Sequence, residues 1–442
     1  MTSCRIEAPR PTIPSENRSR RVDPRGYRSR VSRQIRLIVC LGSGELLGAL
    51  PEFIVDSPWW SDVEPVVDGA RAAFGIETVI LRLLSADSPT PMSGGNVVYL
   101  AELVSDPPPT VVFAPCDSGI LGGDQPLRAP WAYPGGVAAT LSWADAVLAA
   151  AGRPRTGPAA QVKSWNLSSV LRLPTASGDV WCKSVPPFMV HEGTIIAMVA
   201  TDDPTLVPPV LGSNPATRTV LLGDVAGEDQ YDAPVERLVE MVRRLVALQV
   251  RWAGRVDELL AAGLADYRVV TLPWRLGALL SRPEIRLTLS TAELATLDTL
   301  LADLPRRLDA LAVCGLPETL VRGDFHPGNW RFGDDGLVLL DWGDAGVGHP
   351  LFDLAGSFLG QVPEISRDRV RVACLEAWQA EYPGADSTRA AELIEPIAAL
   401  RAALVYQGFL DGIEPSERPY HAADVPECLR RAVHTAQVSN AG

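Results

Sequence analysis

The feature that most constrains this chain is the run Val321-Arg-Gly-Asp-Phe-His-Pro-Gly-Asn-Trp330, followed by Leu339-Leu-Asp-Trp-Gly-Asp344. Asp324 lies five residues before Asn329, and Asp341 lies twelve residues after it. The intervening Arg331–Leu340 reads as a short strand, a Gly/Asp turn at 333–336, and an apolar strand ending at the second carboxylate. A hairpin brings its two ends together. The spacing therefore predicts that Asp324, Asn329 and Asp341 face one small volume.

Two carboxylates and an amide oxygen are hard oxygen ligands. They suit Mg²⁺, which keeps waters and shares its shell with substrate phosphates. Phosphoryl transfer asks little more of a protein than metal to spread charge and a carboxylate to orient the attacking hydroxyl. Protein kinases use the same order: an Asp, an Asn five residues on, and a metal-binding Asp after a hairpin. A surface hairpin rich in Asp and Gly is the bland alternative. Three separated pieces in the right order and spacing argue against it.

Gly323-Asp-Phe-His-Pro-Gly-Asn329, with Asp341-Trp-Gly-Asp344 and His349-Pro-Leu-Phe-Asp-Leu-Ala355 behind it, resembles the aminoglycoside phosphotransferase-like family. These are kinase-fold enzymes that phosphorylate small molecules. The resemblance covers about residues 160–440, with its specific motifs within 321–355. It implies Asp324 as the catalytic residue and Asn329 and Asp341 as Mg²⁺ ligands. It implies ATP as the phosphoryl donor, with GTP the other candidate. The family uses an Asp matching Asp353 to brace its catalytic loop, and Asp353 also reads as a helix N-cap. One departure stands out: Arg322 occupies the position where the family usually has a loop-bracing His.

Upstream, Ser169–Pro174 and Asp179–Ser184 read as a β-hairpin with Lys183 near the end of its second strand. In a kinase-like lobe that Lys pairs with the α- and β-phosphates. Only two of the 40 basic residues are Lys, at 163 and 183, so a position that keeps Lys points to a need for a compact ammonium. A helix is expected over 187–199, and Glu192 is the candidate partner that aims Lys183. An ordinary surface pair is the alternative. The segment Lys163-Ser-Trp-Asn-Leu-Ser-Ser169 lacks G-x-G-x-x-G, but its Ser and Asn side chains, Ser168 among them, can offer donors to phosphate. Thr219–Glu228 reads as a strand running into a hinge, where Leu222 to Val225, including Asp224, would bond the adenine.

The rest of the chain sets the frame. Residues 1–34 are rich in Arg, Pro and Ser, too poor in apolar groups to fold, and read as a basic tail. Arg20-Arg21 invites an export-signal reading, but Glu45 breaks the following apolar segment and no cleavage site follows. Residues 35–155 read as an α/β module. Strands are expected at 35–40, 77–84, 96–104 and 110–113, with helices at 61–74 and 142–151. A cap over the active site and a purely structural unit are both open readings of it. A long amphipathic helix is expected over 235–262. A second, opened by the capping box Ser290-Thr-Ala-Glu293, runs to about 312 with Pro305 kinking or interrupting it. Further helices are expected near 353–360, 366–381, 387–411 and 424–436. His326 and Pro327 are expected to shape the loop rather than do chemistry, and His191 to be a packed or exposed His.

The formal net charge is −13, of which the first 36 residues contribute +7, so the remainder is strongly acidic. That argues against nucleic acid as the main partner and is compatible with a cationic acceptor. No run of 18 apolar, uncharged residues occurs, so no membrane span is expected. Seven Cys without a C-x-x-C pair fit a reducing cytoplasm.

These readings combine into an α+β fold of the bilobal, protein-kinase-like kind, with an additional N-terminal module. The expected divisions are a tail at 1–34, the module at 35–155, a small β-rich lobe at 156–225 and a helical lobe at 226–442. The expected function is ATP-dependent transfer of phosphoryl to a small-molecule hydroxyl on an amino sugar, a sugar or an amino alcohol. The alternative is a nucleotide- or metabolite-binding pseudokinase sensor without turnover. The sequence leaves the oligomeric state open.

Overall fold

The computed structural model describes residues 32–88, 90–334 and 336–441. The tail expected over 1–34 lies outside the described residues up to residue 31. Its last two residues belong instead to strand β1 (Arg33–Cys40). Arg33 is fully buried there and donates to the Tyr99 hydroxyl and the Asp62 carbonyl.

A first five-stranded sheet is built from β1, β2 (Leu46–Ala49), β3 (Phe53–Val55), β4 (Thr78–Ala86) and β5 (Gly95–Leu103). β1 runs parallel to β5 and antiparallel to β2 and β3, and β4 closes the far side against β5. The period-2 rule sorts β1 into two faces. Ile35, Leu37 and Val39 join the core around Trp60 and helix α1 (Glu64–Phe74). Ile38 and Cys40 join a core shared with helix α2 (Gly136–Ala150) and with a second sheet. The strand expected at 110–113 does not form. The Pro107-Pro-Pro109 run has no main-chain donors to give a ladder, and pairing is reduced to a single bridge between Ala114 and Ala49.

The second sheet is antiparallel, in the order β6 (Ala160–Trp165), β7 (Ser168–Thr175), β8 (Gly178–Ser184), β10 (Thr219–Gly223), β9 (Val210–Asn214). Helix α3 (Glu192–Asp202) follows β8, starting five residues later than the sequence suggested, after a 3₁₀ turn at Pro187–Met189. Helix α4 (Val235–Trp252) is the first half of the expected 235–262 helix; a 3₁₀ turn at Ala253–Arg255 separates the second half. Helix α5 (Thr291–Val313) carries the capping box, and Pro305 does not end it. Helices α6 (Glu364–Glu381), α7 (Ser387–Gly412) and α8 (Asp424–Ala441) complete a large core with α4 and α5. α7 is long and apolar enough to cross a membrane by composition, yet 67% of its most apolar window is buried inside the fold, as a core helix would be.

The segment between α7 and α8 ties the helices to the first sheet. Glu414 pairs with Arg128 at 3.0 Å and sits 3.8 Å from Arg82, and the Glu417 carboxylate accepts from the Leu83 amide at 3.1 Å. Burial, with the Glu414 charge adding to it, pushes the Glu417 carboxyl up to about 8. Between its ordinary value and that point the native state keeps a proton that the unfolded chain has lost. Stability therefore falls as pH rises through this window, by about 1.4 kcal/mol per pH unit from this group. Glu417→Gln should remove that loss, and urea titrations at pH 6 and pH 9 check it.

Candidate active site

The site is assembled by two three-stranded sheets, one of which contains a hairpin. β13 (Thr319–Val321) pairs with β16 (Gly346–Gly348), which also pairs with β12 (Ala265–Tyr267). The hairpin is β14 (Trp330–Gly333) and β15 (Gly336–Leu339), with β14 also pairing β11 (Glu228–Asp229). Trp330 stands opposite Leu339, and Leu340 donates its amide to the Asn329 carbonyl at 2.8 Å. The two ends of the hairpin, and hence Asn329 and Asp341, are thereby brought side by side.

Asn329 Nδ2 donates to the Asp324 carbonyl at 3.0 Å and to Asp324 Oδ2 at 3.2 Å. His326 Nε2 stands 3.3 Å from the same Oδ2. His326 Nδ1 accepts from the Gly328 amide at 3.0 Å, so the neutral ring carries its proton on Nε2 and aims it at Asp324. His326 was expected only to shape the loop; it also touches the candidate catalytic carboxylate. Tyr231 stacks on His326 with ring centroids 5.8 Å apart, and Gly328 lies so close to Tyr231 that any Cβ would collide with the ring. Burial pushes the Asp324 carboxyl up. The hydrogen bond from His326 leads the effects that outweigh it, so the carboxyl lies below its usual range.

Lys183 comes from β8 and Glu192 from the first turn of α3. Lys183 Nζ bonds Glu192 Oε1 at 2.7 Å and Asp341 Oδ1 at 2.6 Å. Glu192 is 1% exposed, and its Oε1 also accepts the Trp342 amide at 3.0 Å. One buried carboxylate thus joins the strand, the helix and the residue after Asp341, so a plain surface pair is excluded. Burial lowers the Lys183 pKa, but Asp341 and Glu192 overcome this and raise it. Asp341 has a left-handed backbone (φ +59°), a conformation that Asp tolerates better than most residues. Burial raises its pKa, and Lys183 then Arg322 drive it well below the usual carboxylate range. Asp344 moves the other way, to about 7, through burial and then the charges of Asp324 and Asp341.

Asp353 is fully buried. It accepts from the amides of Arg322 and Gly323, each at 2.8 Å, and from Gln249 Nε2 at 3.0 Å. It does not cap its own helix: its backbone is already helical and its carboxylate points to the loop. Removing it would strand two buried amides, so Asp353→Ala should destabilise the fold by about 3 kcal/mol. Thermal denaturation checks this. Arg322, where the family usually has His, is also fully buried. Its Nη2 donates to the Leu340 carbonyl at 2.5 Å and its guanidinium lies 4.9 Å from the Trp342 ring centroid. It braces the peptide that leads into Asp341. Gln249 and Tyr231 were missed in the sequence, because their positions on α4 and in a connector have no motif to mark them.

The expected nucleotide contacts fare differently. Ser168 Oγ accepts a hydrogen bond from the Trp165 indole N–H at 3.0 Å, which leaves its own hydroxyl proton to donate. Leu222 lies inside β10, in register with Trp181 and Val210, so the main chain that is free of the sheet begins at Asp224. The Asp224 carboxylate takes the Trp181 indole proton at 2.7 Å. Val225 follows in the connector outside any strand.

The model of the phosphotransferase enzyme family matches residues 193–393. The match points to a small-molecule phosphotransferase, and the matched part contains Asp324, Asn329, Asp341 and Asp353, while Lys183 and Glu192 lie just before it. No curated protein matches the chain. Among solved structures, the phosphotransferase is similar to macrolide 2'-phosphotransferase MphH from Brachybacterium faecium, at 18% identity and TM-score 0.46, over 64% of this chain and 98% of that one. It is similar to choline kinase LicA from Streptococcus pneumoniae, at 11% identity and TM-score 0.48, over 68% and 99%. A choline/ethanolamine kinase family protein from Mesorhizobium loti aligns at 18% identity and TM-score 0.42, over 68% and 99%.

Proposed function

We propose that this phosphotransferase moves the γ-phosphoryl group of ATP, or of GTP, to a hydroxyl of a small molecule such as an amino sugar, a sugar or an amino alcohol. The single observation that carries this reading is the convergence of Asp324 and Asn329 from one loop, Asp341 from the end of the hairpin and Lys183 from β8. Residues 156–225 would form the nucleotide-side lobe of a bilobal kinase-like fold and 226–442 the helical lobe, with 35–155 as an added module.

Among the described residues no group of three or more His, Cys, Asp or Glu side chains forms a ready metal site. The donor set nonetheless fits Mg²⁺. Asp341 and Asn329 offer hard oxygens, and the crowding that pushes Asp344 to about 7 marks an excess of negative charge that a cation would relieve. Asn329 and Asp341 would hold the ion, which when bound supplies charge neutralisation for the phosphates. Lys183, aimed by Glu192, would hold the α- and β-phosphates. Asp324 would orient the acceptor hydroxyl and take its proton as the oxygen bonds to the γ-phosphorus and the bond to the nucleoside diphosphate breaks. His326 and Asn329 hold Asp324 in place. Cysteine usage supports a cytoplasmic setting, and the acidic surface a cationic acceptor.

One observation favours the sensor reading. Lys183 and Asp341 bond each other, so the groups meant for phosphate and metal are mutually neutralised. Incubation with Mg·ATP labelled at the γ-position and a panel of amino sugars, sugars and amino alcohols separates the two. A labelled phosphomonoester supports transfer. Nucleotide binding without transfer to any acceptor puts the sensor first.

A further inference from the structure

Strand β4 is an outer strand of the first sheet, paired there with β5 alone. Its other edge carries main-chain groups that need partners once they are buried. Side chains from two distant parts of the chain supply them. Gln161 of β6 accepts from the Ile80 amide at 2.7 Å and donates to the Ile80 carbonyl at 2.8 Å, as a neighbouring strand would. Three residues on, the Glu417 carboxylate accepts from the Leu83 amide at 3.1 Å. Gln161 belongs to the second sheet, which also carries Lys183, and Glu417 to the segment between α7 and α8.

The same junction is packed as well as hydrogen-bonded. Tyr420, from the segment beyond α7, is buried in the core of the first sheet. Its ring meets Trp60 of that core at 5.7 Å and Trp165 of β6 at 5.6 Å, both edge-on. One ring is thus shared by the first sheet, the second sheet and the helices. Glu414 and Arg128, both buried, pair at 3.0 Å in the same segment. On the active-site side, Lys183 of the second sheet reaches Asp341 at 2.6 Å, and Met189 presses on Gly343, where an added Cβ would lie 3.0 Å from its sulfur. The second sheet and the helices are therefore joined both at the active site and behind it.

We propose that the first sheet is a clamp: through Gln161 and Glu417, both bound to β4, it fixes the second sheet against the helices and so presets the spacing of Lys183 and Asp341. Gln161 and Glu417 are positioning residues. The role rests on the phosphotransferase reading above and goes beyond it. A two-lobed enzyme without such a tie must close on its nucleotide, and its apparent affinity falls with the fraction of molecules that are closed. The clamp removes that loss.

The test uses the full chain with a nitroxide amino acid at Ala176, exposed on the turn between β7 and β8, and another at Val372, exposed on α6. Pulsed EPR reads their separation. The native chain should give one narrow distance that Mg·ATP does not change. Glu417→Ala and Gln161→Ala break opposite ends of the clamp. Each should give a longer, broader distribution that Mg·ATP returns to the native distance. Each should also weaken nucleotide affinity about tenfold, as expected when about one molecule in ten stays closed. Glu417→Gln keeps an acceptor for the Leu83 amide and should behave as the native chain does. A native distance that shortens on adding Mg·ATP overturns the clamp without recourse to any variant. So does a native distribution in both broken variants. If the native chain binds no nucleotide, the phosphotransferase reading falls, and the clamp is still decided by the distances in the free native and variant chains.

Discussion

Replacing Asp324 by Asn should lower turnover by three to four decades while nucleotide binding survives. The substitution keeps the side chain's shape, so the main-chain bond between Asn329 Nδ2 and the Asp324 carbonyl persists. What disappears is a carboxylate that His326 keeps ionised. An amide cannot accept the acceptor's proton, and general-base terms contribute about 10²–10⁴ in rate. The amide also presents hydrogens toward His326 Nε2–H, which misorients it. Rate measurement at saturating nucleotide checks the expectation. Nucleotide at a hundred times its dissociation constant should still stabilise the variant by about 2.7 kcal/mol. A variant that turns over at near-native rate would remove Asp324 from the chemistry.

Asp341→Ala should act on the other half of the site and abolish the metal-dependent part of nucleotide binding. Asp341 is one of two oxygen donors proposed for Mg²⁺ and the second anion on Lys183. Its loss leaves Lys183 with Glu192 alone, so the ammonium is less strongly held in its charged form. The native protein's rise in melting temperature with Mg·ATP, worth about 2.7 kcal/mol at a hundred times the dissociation constant, should be absent in the variant. Stability without ligand should fall, since Lys183 and Arg322 favour the charged Asp341 in the folded state and Ala tolerates the left-handed backbone (φ +59°) less well than Asp. An equal rise in both proteins would show that Asp341 holds no metal.

These two results differ in kind because the two carboxylates, seventeen residues apart in the chain, meet different neighbours. Their convergence was legible in the sequence. A Gly/Asp turn between apolar residues predicts a hairpin, and the hairpin predicts proximity. Lys183 at the end of its strand and Glu192 before an apolar helix were legible for the same reason: local periodicity fixes which way a side chain leaves its element. The helices of the second half followed from spacing and from the capping box at Ser290, which forms as written.

Other assignments failed where long-range partners decide. The Ser168 hydroxyl and the Asp224 carboxylate accept the indole N–H groups of Trp165 and Trp181, partners that no local pattern announces. Asp353 reads as a cap, yet its carboxylate binds amides some thirty residues upstream. The strand expected at 110–113 had the composition but no partner with which to pair. Gln249, Tyr231 and the β4 contacts to Gln161 and Glu417 have no local signature at all.

By itself, then, the sequence determined the hairpin, the order of the catalytic groups and the chemistry they can support, because these depend on residue type and on spacing within a few turns or strands. Tertiary structure alone decided which donors remain free for a ligand, that Arg322 is buried under the Asp341 loop, and that one strand of the first sheet binds both Gln161 and Glu417. Those outcomes depend on which groups, distant in the chain, compete for each hydrogen bond once water is excluded.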